Sequence, residues 1–369
     1  MAKTVKSKPK ISPVRKQYLD LKGQHTDAIL FFRLGDFYET FDEDAEIISN
    51  VLDIVLTSRN VAKGNRVPMA GIPHHAMENY LSRLIDRGYH VAICEQVGTE
   101  PINGLMPREV VRIITPGTIV EPSLLKGDAN NYLATVVVEE SKAGIAYADI
   151  TTGEFSATEI DNPNILSAVR AELNRLAPAE ILIPDDLDLE FGANNPVPGY
   201  KTAWPAWRFE PGRCQDIILR QFEVSSLKGF GIKNNSLSVR AIGGILQYLT
   251  ETQPAALNLL IGLSSYSLDE FMTLDANTRR NLELTETIRG AKLKGSLLGV
   301  LDRSITPMGA RMFRQWVSKP LLNVDDINLR LDGVSHFFDD GLRRAEIRQI
   351  LKPLADLERL TNRVVGESA

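Results

Sequence analysis

The sequence predicts a multidomain α/β protein, and three observations carry that prediction. Residues 13–120 alternate strand-like apolar runs with helix-period segments, as a small mixed α/β domain would. Residues 128–252 place three strand candidates in close succession, with helices between and after the later ones, as a second α/β domain. From residue 266 to 369 strand signals nearly vanish, and helix-period segments follow one another. A basic arm, 1–12, precedes all three. The length of 369 residues, with 43% hydrophobic and 24% charged residues, suits two or three ordinary globular domains.

The elements follow in order. Val14, Tyr18 and Leu21 have helical spacing across 14–24. The run 28–34, Ala-Ile-Leu-Phe-Phe-Arg-Leu, has the length and aromatic content of a buried strand, and Gly35-Asp36 is a turn signal. Helix returns over 42–53, where Ala45, Ile48 and Leu52 share a face and acidic residues occupy the first turn. A short strand is expected at 54–56, then a turn-rich connection from Ser58 through Asn65. The stretch 67–73 carries Pro68, Gly71 and Pro73, which exclude a helix and suggest a rigid loop. An amphipathic helix over 75–87 is closed by Gly88, and strands are expected at 89–96 and 110–115.

Residues 121–131 read as a linker. Strands at 132–139, 144–150 and 154–159, joined by short turns, suggest an antiparallel meander. A helix at 165–176, a strand at 180–183, a Pro/Asn/Gly-rich loop over 185–199 and helices at 214–222 and 238–250 complete the second domain. Past a last strand signal at 271–274, helices are expected at 281–289, 297–301, 309–317, 324–338 and 342–363, with Pro307 and Pro320 separating segments. The apolar pattern Leu351, Leu354, Leu357, Leu360, Val364 is still running near the end, and nothing in residues 366–369 closes a domain. The expectation is therefore a helical domain cut partway.

The segment after Gly35-Asp36 offers the most distinctive chemistry. In an extended chain Phe37 and Glu39 share one face, with Tyr38 on the other. Read from these residues alone, Phe37 is first a core residue and Glu39 the solvated first turn of the next helix. The alternative is a wedge: an aromatic ring that stacks on a flat ligand, beside a polar group that reads the ligand's edge.

Composition and motifs exclude several classes. No apolar run approaches a membrane span and no signal-peptide pattern opens the chain. Cys94 and Cys214 lack metal-ligand spacing and read as buried thiols in a reducing cytosol. The net charge is −5, so any nucleic-acid binding must use a local basic surface. Lys3, Lys6, Lys8 and Lys10 make the arm such a surface, although it reads first as a disordered tail. There is no G-x-x-x-x-G-K-S/T loop for ATP phosphates, no G-x-S-x-G elbow, and no zinc spacing around His74-His75. No catalytic residue and no metal ligand is expected. Asp149 and Glu154 occupy strand ends where a two-metal nuclease would place carboxylates, but two are too few, and solvated turn residues are the simpler reading.

Taken together, the segments resemble the amino-terminal part of the MutS family of DNA mismatch sensors. Gly35-Asp36-Phe37-Tyr38-Glu39 is similar to that family's Phe-x-Glu motif. Pro68-Met69-Ala70-Gly71-Ile72-Pro73-His74-His75 is similar to its P-M-A-G loop. Cys94-Glu95-Gln96, Thr115-Pro116-Gly117-Thr118, Leu274 through Glu283, and Thr306-Pro307-Met308-Gly309-Ala310-Arg311 follow in family order. The middle domain matches more loosely, through Asp149-Ile150-Thr151-Thr152-Gly153-Glu154.

The resemblance implies a mismatch-recognition domain, a ribonuclease-H-like connector without nuclease activity, and the start of an all-α core/lever domain. It reverses the order of the readings of Phe37. The ring would enter the minor groove of double-stranded DNA and stack on a mispaired base or in a small loop, where unstacking costs least. Glu39 would hydrogen-bond the displaced base, protonated or bonded because phosphates disfavour a bare carboxylate. Arg59, Met69 and His74 would touch the DNA backbone or shape the groove wall. The family also implies ATP and Mg2+ in the full-length parent, a homodimer there, and a MutL-like partner docked on the connector. This chain alone is expected to be weakly associated or monomeric, without ATP hydrolysis, and cytoplasmic at the nucleoid. The alternative is a truncated interaction module that docks the MutL-like partner without productive mismatch sensing.

Overall fold

The computed structural model describes residues 12–62, 65–98, 100–101, 104–189 and 197–365. The basic arm, the turn at Gly64, much of the 185–199 loop and the segment 366–369 therefore lie wholly or largely outside the described residues. The chain forms two compact units, one built on residues up to Leu124 and the other on Leu125–Thr250 and the residues from Pro254.

The first unit runs α1 (Pro13–Gln24), β1 (Ala28–Leu34), β2 (Phe37–Phe41), α2 (Asp42–Leu52), β3 (Thr57–Ala62), β4 (Asn65–Pro73), α3 (Met77–Ile85), β5 (His90–Gln96) and β6 (Arg108–Ile114). Ser12 accepts the Arg15 N–H and Pro13 stands at the first helical position, so α1 starts where its capping residues dictate. The six strands lie in the order β3-β4-β2-β1-β5-β6, and only β1 and β5 are parallel. On one face Tyr18 of α1 packs with Leu30, Phe32, Phe41, Ala92 and Cys94. Buried Asp44 fastens the layers. Its carboxylate accepts from the Leu30 N–H at 2.9 Å and the Lys22 ammonium at 2.9 Å.

Three expectations for this unit fail. Residues 54–56 are not a strand; Val55 is exposed, and the strand starts at Thr57. The turn-rich connection expected from Ser58 through Asn65 is largely that strand, β3, and Asn65 already opens β4. The stretch 67–73 is not a loop but most of β4, an interior strand. Its prolines are tolerated because β4 changes partners at Met69. Pro68 pairs only with β3, opposite Ser58, and Pro73 only with β2, opposite Phe37. Each proline nitrogen is thus at a place where one neighbour is missing, as for proline on a sheet edge.

The second unit opens with the predicted meander: β7 (Leu133–Glu139), β8 (Lys142–Asp149) and β9 (Glu154–Asp161), all antiparallel. After α4 (Ile165–Leu176), β10 (Glu180–Pro184) pairs parallel with β7, and β11 (Tyr200–Trp204) pairs parallel with β10. Three antiparallel strands followed by two parallel ones make the ribonuclease-H-like order the resemblance implied. The loop reading of 185–199 gave no hint of β11, whose burial does not alternate cleanly. Helices α5 (Pro211–Gln221) and α6 (Leu237–Thr252) follow. Helix α4 covers one face through Val169 and Leu173. Helix α6 lies so close on the other that a Cβ at Gly144 would fall 2.1 Å from the Leu237 backbone.

A two-residue strand, β12 (Ser264–Ser265), edges the sheet beside β9. The remaining helices are α7 (Ala276–Asn281), α8 (Leu297–Leu301), α9 (Pro307–Ser318), α10 (Val324–Asp339), α11 (Gly341–Leu351) and α12 (Leu357–Val365). The expected strand at 271–274 is a single bridge, Phe271 to Leu321. The helix expected at 281–289 ends instead where it was to begin. Asp275 caps α7 by accepting the Thr278 N–H, and Glu283 then takes a positive φ of 48°. The single helix expected over 342–363 is two, because Pro353 cannot continue α11.

The 121–131 linker is not slack within this unit. Arginines from α9 and α12 take four consecutive carbonyls. Arg359 donates to Lys126 at 2.9 Å and Ala129 at 2.8 Å, Arg311 to Gly127 at 3.1 Å, and Arg314 to Asp128 at 3.1 Å. Lys126 itself is exposed, so trypsin can reach its side chain but must pull its carbonyl free. Arg359→Ala removes two charge-assisted bonds worth about 1.5 kcal/mol or more each. Cleavage of the Lys126–Gly127 bond, followed by mass spectrometry, is expected to speed up by about tenfold or more. An unchanged rate would show that the clamp does not hold the linker.

Candidate functional site

Gly35-Asp36 closes a two-residue hairpin, with Leu34 opposite Phe37. Gly35 has φ +60°, which suits a turn with glycine first, the kind whose twist matches the flanking strands. The His74 N–H reaches the Asp36 carbonyl at 2.8 Å and ties the turn to the end of β4. The tip is therefore held by both strands that flank β2.

The cross-strand registers define what shares a face. Phe37, Glu39 and Phe41 stand opposite Pro73, Gly71 and Met69 of β4. Met69 and Val67 stand in turn opposite Thr57 and Arg59 of β3. Along this face burial falls toward the tip. Phe41 lies in the α1 cluster with Met69 packed against it, Glu39 is half-buried, and the Phe37 residue is 48% exposed. Phe37 is not core, and Glu39 is in a strand, not a helix. Glu39 forms an ion pair with Arg59, whose side chain is 42% exposed while that of Glu39 is 17%. The pair reaches diagonally across β4, from opposite Gly71 at the Glu39 end to opposite Val67 at the Arg59 end, past Met69 on the same face. A Cβ at Gly71 would stand 3.7 Å from the Glu39 Cγ.

The opposite face is a rigid backing. The Tyr38 ring is buried against Phe31, centroids 5.8 Å apart, and its hydroxyl donates to Glu95. Burial first, and then the Glu95 carboxylate, push the phenol well above its ordinary range, so it stays a neutral donor. The Arg33 guanidinium lies over the same ring at 5.5 Å.

Of the residues singled out from the sequence, the fold brings Phe37, Glu39 and Arg59 onto one face. Met69 shares that face but belongs to the apolar cluster beneath α1. His74 packs on the Tyr38 ring, centroids 5.5 Å apart, which puts it with the opposite face. The sequence reading missed the Glu39–Arg59 pair, the open place at Gly71, and the Tyr38–Glu95 support. Reading 65–73 as a strand would have revealed the second, since alternation puts Gly71 on one face with Val67 and Met69; the pair needs the registers of β2, β3 and β4 together.

In the second unit, Asp149 spends both oxygens on its own surroundings. It accepts from the Thr151 N–H at 2.9 Å, the Thr151 hydroxyl at 2.6 Å, the Asn131 N–H at 3.1 Å and the Asn130 amide at 2.9 Å. Glu154 accepts from the Tyr132 and Tyr147 hydroxyls at 2.8 and 3.2 Å and from Gln315 at 3.2 Å. Burial raises its pKa, against those hydrogen bonds. These are structural carboxylates, and among the described residues no group of three or more His, Cys, Asp or Glu could hold a metal ion. Burial pushes both thiols, Cys94 and Cys214, up to about 12. No helix among the described residues is long and apolar enough to cross a membrane.

Three family models cover the chain in sequence: MutS domain I matches residues 12–123, MutS domain II 131–260 and MutS domain III 277–369. The chain belongs to the MutS family. Among its relatives, the DNA mismatch repair protein MutS of Dehalococcoides mccartyi is 47% identical over 356 residues, which is 96% of this chain and 41% of that protein. The MutS proteins of Syntrophomonas wolfei and Roseiflexus castenholzii are 44% and 39% identical, again over 96% of this chain. The chain thus spans about two-fifths of the length of the curated MutS relatives it matches, 38–42% of each. The hairpin carrying Phe37 and Glu39 lies in the part matched by MutS domain I.

Proposed function

We propose that this chain senses mispaired or unpaired bases in double-stranded DNA, with Phe37 as a wedge in the minor groove and Glu39 as the group that hydrogen-bonds the displaced base. One observation carries the reading: a half-exposed phenylalanine stands at the tip of a hairpin braced on both sides, with a carboxylate next to it on the same face. The half-exposed ring presents part of its surface to solvent from a hairpin tip tied to both neighbouring strands. It is suited to stack where a duplex opens at little cost, which is at a mispair. Membership in the MutS family supports the same reading, and the relatives are named for DNA mismatch repair.

Arg59, the cation paired with Glu39 on the same face, is the proposed contact for a phosphate. Met69 contributes by backing the face from within the core, and His74 by tying the hairpin tip to β4. The connector-like sheet of the second unit is the proposed dock for a MutL-like partner. ATP, Mg2+ and the homodimer are proposed to belong with the regions of the longer relatives that this chain does not match. The chain's own sequence carries no G-x-x-x-x-G-K-S/T loop. The proposed place of action is the cytoplasmic nucleoid.

Competition between mismatched and matched duplexes of otherwise identical sequence tests the reading. Stacking on one aromatic side chain, worth about 1–3 kcal/mol, gives a preference of about ten- to hundred-fold. Absolute affinity is expected to be modest and to fall with salt, because a chain of net charge −5 has only local cations for phosphates. Equal affinity for the two duplexes at every salt concentration would overturn the proposal.

A further inference from the structure

The Glu39–Arg59 pair raises a question that the wedge reading leaves open. A carboxylate meant for a base is occupied by an arginine of the same sheet. Three features say that the pairing is a resting position and not a structural staple. Gly71, opposite Glu39 on β4, brings no side chain against the carboxylate end of the pair, so nothing on that side fixes it. The Arg59 side chain is 42% exposed, and an ion pair in contact with water is cheap to open. The structural ion pairs of this unit look different: Arg15 with Asp42 and Lys22 with Asp44 each hold one member that is nearly buried and tie α1 to α2.

We infer that Arg59 is a positioning residue: it parks Glu39 over Gly71 until a displaced base takes the carboxylate, whereupon Arg59 turns to the backbone phosphates. The inference rests on the mismatch-sensing reading and adds to it the means of discrimination. On a matched duplex no base atom is free to take Glu39, so the pair stays closed and its charge stays neutralised against the phosphates. On a mismatched duplex the carboxylate changes partner. No bond beyond hydrogen bonds is made or broken, and the two charges are conserved.

This exchange gives an unusual signature. In Arg59→Met, Glu39 faces the phosphates with no counter-ion on the matched duplex, whereas on the mismatched one it still has the base. Matched affinity is therefore expected to fall about tenfold further than mismatched affinity, so overall binding weakens while the mismatch preference rises. In a Glu39→Gln background no charge needs parking, and Arg59→Met is expected to lower both affinities by the same factor. Arg59→Lys keeps the charge but not the planar fork, and should leave the preference close to that of the parent. The five proteins, parent, Arg59→Met, Arg59→Lys, Glu39→Gln and the double variant Glu39→Gln with Arg59→Met, are compared by competition on the same two duplexes. A fall in both affinities by one common factor in the Glu39 background would overturn the inference, since Arg59 would then be a phosphate contact only. That result would leave the wedge reading standing if the parent still prefers the mismatch. Loss of any preference in the parent itself would overturn both.

Discussion

Phe37→Ala is expected to abolish the preference for mismatched over matched duplex. The ring supplies the stacking term, about 1–3 kcal/mol, and with it the whole of a ten- to hundred-fold ratio. Affinity for matched duplex should change little, because phosphate contacts carry it. Folding should survive as well. The Phe37 residue is 48% exposed and lies outside the α1 cluster, so truncation leaves no cavity. A buried phenylalanine would behave otherwise, losing about 3–5 kcal/mol of stability on truncation, with all DNA binding lost in proportion. Thermal melting beside the binding ratio separates these outcomes. Unchanged melting with the ratio reduced to one supports the wedge. A retained ratio would remove Phe37 from the mechanism.

Arg311→Ala is expected to be the most damaging single change to stability described here. The Arg311 side chain is 3% exposed and holds Asp356 with two bonds, at 2.6 and 2.8 Å, and Glu358 with one at 2.6 Å. Burial works against its charge, but the hydrogen bonds and charges of the two carboxylates outweigh it and raise its pKa. Asp356 shows the reverse balance: burial would raise its pKa, and Arg311 draws it below the ordinary value. Removing one partner strands the other, at a cost of about 3–5 kcal/mol for a buried pair. The lower end applies, since Asp356 retains 17% exposure. Denaturant unfolding of the second unit measures the loss. Its pH dependence checks the cause. A carboxylate whose folded pKa is depressed contributes stability above its unfolded pKa and loses it as pH falls through the folded one. The gap between parent and variant should therefore close as pH falls below the ordinary aspartate value of 3.8. A gap that persists undiminished in acid would mean that the arginine stabilises through packing and its bond to the Gly127 carbonyl, not through the carboxylates.

Much of the fold is legible because its signals are local. The hairpin at Gly35-Asp36, the alternation that separates Tyr38 from Phe37 and Glu39, and the β7–β9 meander all follow from periods of two bounded by turn residues. Helix starts at Ser12 and Thr306 follow from side chains that satisfy backbone N–H groups three residues on; Asp275 caps α7 in the same way, but the helix expected at 281–289 misses it. Pro353, which stops α11, is an equally local signal, but the expectation of one helix over 342–363 passes over it. Where local signals conflicted, the reading failed. Proline argued against a strand at 67–73, and only the partner switch at Met69 explains why a strand can hold two prolines.

The sequence by itself determined which residues could form a wedge: an aromatic ring and a carboxylate two positions apart after a tight turn. It could not decide that Phe37 is exposed, because exposure depends on where the α1 cluster ends on the sheet. Nor could it pair Glu39 with Arg59, which requires the registers of β2, β3 and β4 together. The grip of Arg311, Arg314 and Arg359 on carbonyls 126–129 likewise joins residues far apart in the chain. Short-range patterns fix strands, turns and caps because each needs only its neighbours. Charge pairing and exposure belong to the tertiary structure, because they are properties of distances that the chain's order does not contain.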